Sequence, residues 1–298
     1  MQKTQEIYAL TGSTGFLGRY LLKDLIKRFP DAKGVLLLNR TAPVFIPEGW
    51  KTYSASLNND EALSHALRGV TTLIHLAGLT HANSSKEYWT ANALGTRNLV
   101  EAAKKNTVSR IIYVSTRAIS DECGDYAKSK HQGELYIINS QIPFVILRHS
   151  EIYGVESNEG INGLVSLVRK SPIIPYPSGA SLFAPLFLED AIGGILACLE
   201  RDDNINNRIY TLAGPKSYTF VELIRVISKV LGLRRMILPL PQIFFIILMT
   251  LGKKIRRPFL RYDQLARMVC PKDDDINPAK RDLGFQPRPF ENGLKNLI

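Results

Sequence analysis

The chain has little of what would assign its class at once. Only three cysteines occur in 298 residues, Cys123, Cys198 and Cys270. They are far apart and lack C-x-x-C spacing, which argues against a disulfide scaffold and a zinc site and fits a reducing cytoplasm. His65, His81 and His131 have no ligand partners at useful spacing, so no metal is expected. No signal peptide is expected either, because a strand and a glycine turn begin almost at the first residue. The most apolar stretch, Ile243 to Leu251, falls short of the roughly 20 residues a bilayer-crossing helix needs. A net charge of +11 comes without any recognition-helix or zinc-finger pattern, so nucleic acid is not an expected partner. That charge suits phosphates, nucleotides and anionic membrane surfaces. An apolar fraction of 45% is ordinary for a globular protein with a sizeable core.

What is present begins with a glycine turn. The apolar run Ile7 to Leu10 reads as a buried strand, and Phe16, Leu17, Tyr20, Leu21, Leu22, Leu25 and Ile26 recur at helical spacing. Gly12, Gly15 and Gly18 therefore sit on a strand-to-helix turn, with Thr14 between the first two. Glycine lets another group approach the backbone closely, and the helix start offers unpaired N–H groups and a positive dipole end. A dinucleotide pyrophosphate is the expected guest. The spacing is G-x-x-G-x-x-G instead of G-x-G-x-x-G, so a tight turn without a ligand is the competing reading.

Gly34 to Leu38 reads as the second strand. It ends at Asn39-Arg40, where an acid would otherwise hold the adenosine ribose. Asn39 is neutral and Arg40 can pair with a 2′-phosphate, which favours NADP over NAD; the alternative for Arg40 is a solvated charge. Thr72 to Gly78 is a further strand and turn, Ser85 to Asn106 a long helix, and Arg110 to Thr116 a strand ending in hydroxyls. This alternation implies a Rossmann-like, doubly wound parallel sheet, whose ligands bind beyond the carboxyl ends of the strands. Gly12, Asn39, Leu76, Ala77, Gly78, Ser115 and Thr116 all fall at those ends. Residues 1–150 are read as the nucleotide-binding domain and 151–298 as a smaller substrate-binding region, partly interleaved with it.

Tyr126 and Lys130 are four residues apart and share one helix face. A tyrosine ionises near pH 10, and a fixed ammonium beside it favours the phenolate. The pair suits proton abstraction from an alcohol during hydride transfer, although such pairs also arise on helices for structural reasons alone.

The segments Gly12 to Gly18, Ile74 to Gly78, Asn92-Ala93-Leu94-Gly95-Thr96, Val114-Ser115-Thr116 and Tyr126 to Lys130 occur together in this order. In this the chain resembles the extended short-chain dehydrogenase/reductases, in the NAD-dependent epimerase/dehydratase branch that includes the nucleotide-sugar epimerases. The resemblance continues through Leu147-Arg148, Ile152-Tyr153-Gly154 and Phe187 to Asp190. It implies that Tyr126 is the catalytic acid and base, that Lys130 lowers its pKa and holds the nicotinamide ribose, and that Thr116 hydrogen-bonds the reacting hydroxyl. Asn92, Leu57, Leu76, Ala77, Gly78 and Ser115 belong to the cofactor side, together with Gly12 to Gly18, Asn39 and Arg40. A nucleotide-sugar-like substrate and a homodimer built through the long helices follow from the same resemblance. The alternatives are an NADPH-dependent reductase of another carbonyl, or a non-catalytic NADP-binding subunit docked to a membrane complex.

Some residues depart from that pattern. Arg117-Ala118 replace the Asp-Glu pair of the sugar 4,6-dehydratases, which argues against dehydratase chemistry. His149-Ser150 stand where the family has proline, and the connection from Thr116 to Tyr126 is short. Cys123 lies in that connection and is reactive if exposed. Pro172 to Pro185 reads as a loop, Arg208 to Leu212 as a strand, and Thr219 to Glu222 as a capping box. The 241–261 segment joins Ile243 to Leu251 with Lys253, Lys254, Arg256, Arg257 and Arg261. It is either a core or dimer-contact helix with a basic flank, or a helix lying on an anionic membrane.

Overall fold

The computed structural model describes residues 6–157, 160–179, 182–201, 203–247 and 262–297. In chain order the first half contains β1 (Ile7–Thr11), α1 (Phe16–Arg28), β2 (Lys33–Leu38), β3 (Trp50–Ser54), α2 (Asp60–Ala66), β4 (Thr72–His75) and α3 (Ser85–Tyr88). A π-helical turn (Trp89–Leu94) then runs into α4 (Gly95–Lys105), followed by β5 (Arg110–Thr116), α5 (Gly124–Ile138) and β6 (Phe144–His149). The second half adds β7 (Ile152–Tyr153), α6 (Gly160–Lys170), β8 (Ile173–Pro177), β9 (Leu186–Phe187), α7 (Leu188–Glu200) and β10 (Arg208–Leu212). After these come α8 (Phe220–Val230), β11 (Met236–Leu240), a short helix α9 (242–247), α10 (Tyr262–Val269), α11 (Asn277–Leu283) and α12 (Phe290–Lys295).

Seven strands form one parallel sheet in the order β10-β6-β5-β4-β1-β2-β3. The chain reverses its direction of winding between β1 and β4, the place where such sheets bind ligands. Both faces are covered, as a parallel sheet requires. Leu21, Ile195 and Leu283, from α1, α7 and α11, close one face, and Leu63, Leu99 and Ile137, from α2, α4 and α5, close the other. A third core joins α6, β8, α8 and α12 through Val165, Ile174, Leu223 and Phe290, making a smaller lobe beside the strand ends. β10, from the second half of the chain, completes the edge of the main sheet.

Two sequence readings are corrected here. The stretch read as a loop contains β8, which pairs in parallel with β11. Pro175 and Pro177 are tolerated because a two-stranded pair has an outer edge that needs no N–H donors. The long helix expected over 85–106 is interrupted by its π turn.

Candidate active site

The turn after β1 has the shape a pyrophosphate needs. Gly12 has φ of +74°, and a Cβ there would lie 2.8 Å from the Ala77 nitrogen, so the turn packs directly against the loop after β4. A Cβ on Gly18 would overlap the Gly12 carbonyl. Helix α1 starts with no side-chain cap, which leaves its first N–H groups available to an anion. The buried Ser13 hydroxyl in the same turn has no hydrogen-bond partner among the described residues. These features fit a nicotinamide dinucleotide, with its pyrophosphate on the turn. Asn39 and Arg40 lie exposed just beyond β2, at the adenosine end. Leu57 packs against Gly95, and its carbonyl accepts from the Asn98 amide at 3.0 Å.

A buried polar chain fixes the loop after β4. The Ala77 N–H donates to Thr11 Oγ1 (3.1 Å), which leaves the Thr11 proton for His75 Nδ1 (2.7 Å). His75 Nε2 then donates to Thr96 Oγ1 (3.0 Å), and the Thr96 hydroxyl to the Asn92 carbonyl (2.6 Å). This network assigns the neutral tautomer. Burial, helped by the charge on Lys130, pushes the His75 pKa down to about 3, so the ring stays neutral. Asn92 stands on the π turn, a distortion common at functional sites. Its side chain accepts from the Leu79 N–H (2.7 Å) and donates to the Leu79 carbonyl (3.0 Å) and Ser129 Oγ (3.1 Å). A Cβ on Gly78 would meet Asn92 Oδ1 at 3.0 Å and Lys130 Nζ at 3.8 Å. Asn92 thus ties the Gly78 loop to α5.

Helix α5 presents the buried side chains of Tyr126 and Lys130, and Thr116 lies at the end of β5. Lys130 Nζ donates to the Val114 carbonyl (2.7 Å) and lies 4.1 Å over the Tyr113 ring. Burial lowers its pKa to about 7, against the opposing pull of Glu134. Glu134 is fully buried and takes a forked pair from Arg148 (2.6 and 3.0 Å) together with the Ser115 hydroxyl (2.5 Å). Ser115 therefore spends its proton on Glu134. His149, beside Thr116 in the β5–β6 register, is buried with both ring nitrogens unpartnered among the described residues. Burial, then the Lys130 charge, lowers its pKa to about 3.

Several functional neighbours were invisible in the sequence. The Arg267 guanidinium, on α10, lies 4.5 Å over the Tyr126 ring and donates to the Thr80 carbonyl at 3.1 Å. Tyr88 packs edge-on to Tyr126, with ring centroids 5.8 Å apart. Arg117, in the position that breaks the dehydratase pattern, is buried in an ion cluster with Glu151 (2.9 Å) and Asp274. Lys272 approaches Glu151 at 4.0 Å. Burial raises the Glu151 pKa, but Arg117 and Lys272 outweigh it, and the carboxyl ends below its ordinary value. This cluster fastens the 272–274 segment next to Thr116.

The cysteine reading is also corrected. Cys123 and Cys270, 147 residues apart, form a disulfide, and both are buried. Cys123 is therefore not a reactive thiol. Sequence distance misled because α10 returns to pack on the start of α5. Among the described residues no group of His, Cys, Asp and Glu is arranged to hold a metal, and no helix is long and apolar enough to cross a membrane.

A glycine turn shaped for phosphate at the switch point of a parallel sheet defines the class: a dinucleotide-binding α/β protein. The chain belongs to the NAD dependent epimerase/dehydratase family, whose model matches residues 8–213. Among its relatives, a ceramide reductase of Caulobacter vibrioides is 28% identical over 79% of this chain and 74% of its own length. A UDP-glucose 4-epimerase of Vibrio cholerae is 24% identical over 99% and 95%. The solved UDP-glucuronic acid 4-epimerase of Bacillus cereus, in complex with NAD, superposes with a TM-score of 0.73 at 21% identity, covering 98% of this chain and 96% of that one. The family and these relatives mark the protein as an NAD(P)-dependent oxidoreductase or epimerase.

Proposed function

We propose that the protein oxidises and reduces a secondary alcohol or ketone on a nucleotide-linked sugar, with Tyr126 as acid and base. What supports this is Lys130, whose ammonium lies 3.8 Å from where a Cβ on Gly78 would stand, on the same helix as the buried Tyr126, with Thr116 at the carboxyl end of β5. When bound, the nicotinamide dinucleotide accepts or returns the hydride. Gly12, Thr14, Gly15, Phe16, Leu17 and Gly18 cradle its pyrophosphate, while Asn39, Arg40, Leu57, Leu76 and Ala77 line the adenosine path. Gly78, Asn92, Ser115 and Lys130 complete the nicotinamide side. Thr116 orients the substrate oxygen and Tyr126 takes or returns its proton. Lys130 along the helix and Arg267 over the ring place positive charge where the phenolate forms. Arg117 in the ion cluster supplies no acid or base for removing water, which separates this site from a dehydratase.

Arg40 favours NADP over NAD within the same proposal. The same proposal includes a homodimer packed through α4 and α5, the latter exposing Leu135 and Ile138, and peripheral contact with anionic membrane by the 241–261 segment, of which 248–261 lie outside the described residues. A second reading, an NADPH-dependent reductase of a non-sugar carbonyl, draws support from the ceramide reductase relative. Tyr126→Phe tests the chemistry. Turnover of keto-sugar nucleotides, or of ceramide-like ketones, should fall by about 10²–10⁴ while nucleotide binding is retained. Unchanged turnover in the variant would remove Tyr126 from the mechanism.

A further inference from the structure

The net positive charge of this protein comes from part of the chain. Residues 160–188 and 223–262 contain no Asp or Glu, yet they hold eleven of the 38 Lys and Arg residues. The remaining 27 cations balance the 27 anions, so these two stretches account for the whole net charge of +11. Their described parts meet in the fold: β8 from one and β11 from the other pair in register, Met236 beside Ile173 and Leu238 beside Pro175.

The outer face of that pair is apolar. Ile174 is buried and Ile237 half-buried, both on the core of the small lobe, whereas Ile173, Met236 and Leu238 point outward with exposures of 45%, 63% and 42%. Parallel strands ordinarily have both faces covered, and here no described residue covers the first half of the outer one. At the carboxyl end of the strands, α9 buries Phe245 against Leu240, Leu265 and Val269 but exposes Ile243 (60%), Phe244 (43%) and Ile247 (52%). At the opposite end Arg169, Lys170 and Arg234 are exposed, next to Arg235, whose guanidinium is tied to the Val168 and Arg169 carbonyls (2.6 and 3.2 Å). Strands of five residues put about 17 Å between the cations and the apolar helix.

We propose that the β8–β11 pair and α9 together form a face that docks on an anionic lipid bilayer. Ile243, Phe244 and Ile247 enter the interface, and Arg169, Lys170 and Arg234 meet lipid phosphates. This deepens the peripheral contact read for the 241–261 segment, and rests on it, by adding a sheet face and a basic rim from elsewhere in the chain. A second copy is a poor occupant: a twofold axis along the strands would oppose like charges, and one across them would set the cations of each copy on the apolar α9 of the other. The face lies one helix from the chemistry: α10 packs on α9 through Leu265 and covers Tyr126 with Arg267.

Vesicle flotation of the full chain tests this. Phosphatidylcholine vesicles containing about one-third phosphatidylglycerol should carry at least about tenfold more protein than phosphatidylcholine alone, and high salt should erase most of the difference. The variants F244E/I247E and R169E/R234E should each lower flotation about tenfold while nucleotide affinity stays at the wild-type value. A wild-type chain that stays at the bottom with anionic vesicles overturns the proposal. So does flotation that neither variant changes, or a dimer that F244E/I247E converts to monomer in light scattering, which would assign the face to a second copy. Nucleotide titration of the same preparations keeps the two readings apart: flotation without nucleotide binding would sink the proposed chemistry and leave the docking face standing.

Discussion

Glu134 illustrates how a buried carboxylate behind the candidate site holds its elements together. Its carboxylate is fully buried and satisfied by Arg148 and Ser115, so it fixes the ends of β5 and β6 relative to α5. Removing one partner of a buried ion pair leaves the other charge stranded. Glu134→Gln should therefore cost about 3 kcal/mol in urea unfolding; a loss below about 0.5 kcal/mol would show that solvent already satisfies Arg148. Spacing put Thr116 at a strand end and Tyr126 and Lys130 on one helix face, where the structure has them; their proposed roles come from the family resemblance. Glu134 and Arg267 were not legible in the sequence. A glutamate one turn beyond Lys130 reads as an ordinary exposed charge, and nothing in the sequence brings Arg267 back to Tyr126.

At the scale of elements, the alternation of strands and helices in the first half was readable because buried parallel strands are short apolar runs bounded by turns. Arg208 to Leu212 matches β10 residue for residue, and Thr219 and Glu222 make both bonds of the capping box. The small lobe was harder. Prolines at 175 and 177 hid β8, and the pairing of β8 with β11 depends on a contact that no local pattern encodes. The Cys123–Cys270 bond joins the turn before α5 to the end of α10, and so holds Arg267 over Tyr126. A native disulfide typically contributes about 2–4 kcal/mol. Cys123→Ser should lower the unfolding midpoint accordingly and make it insensitive to reductant. A wild-type midpoint that dithiothreitol does not move would show the bond to be absent in solution.

For the molecule as a whole, the buried imidazoles make stability depend on pH. His75 and His149 have folded pKa values of about 3, below the unfolded value of 6.5. Between these values the unfolded chain binds more protons than the folded one, so stability falls as pH drops from 6.5 towards 3 and is fully present above 6.5. Thermal unfolding across that range should show the decline, and His149→Asn should flatten it; a slope unchanged in the variant would mean that His149 does not carry it.

Above all, the glycine turn and the Thr116–Tyr126–Lys130 set are proposed to serve a nicotinamide dinucleotide. The most direct test is to titrate the purified protein, and a Gly18→Val variant, with NADPH and NADH after checking for nucleotide released on denaturation. The account predicts that the wild type carries or binds a nicotinamide dinucleotide, NADPH more tightly than NADH, and that the variant binds neither. A folded wild-type protein that neither carries nor binds either nucleotide would contradict it.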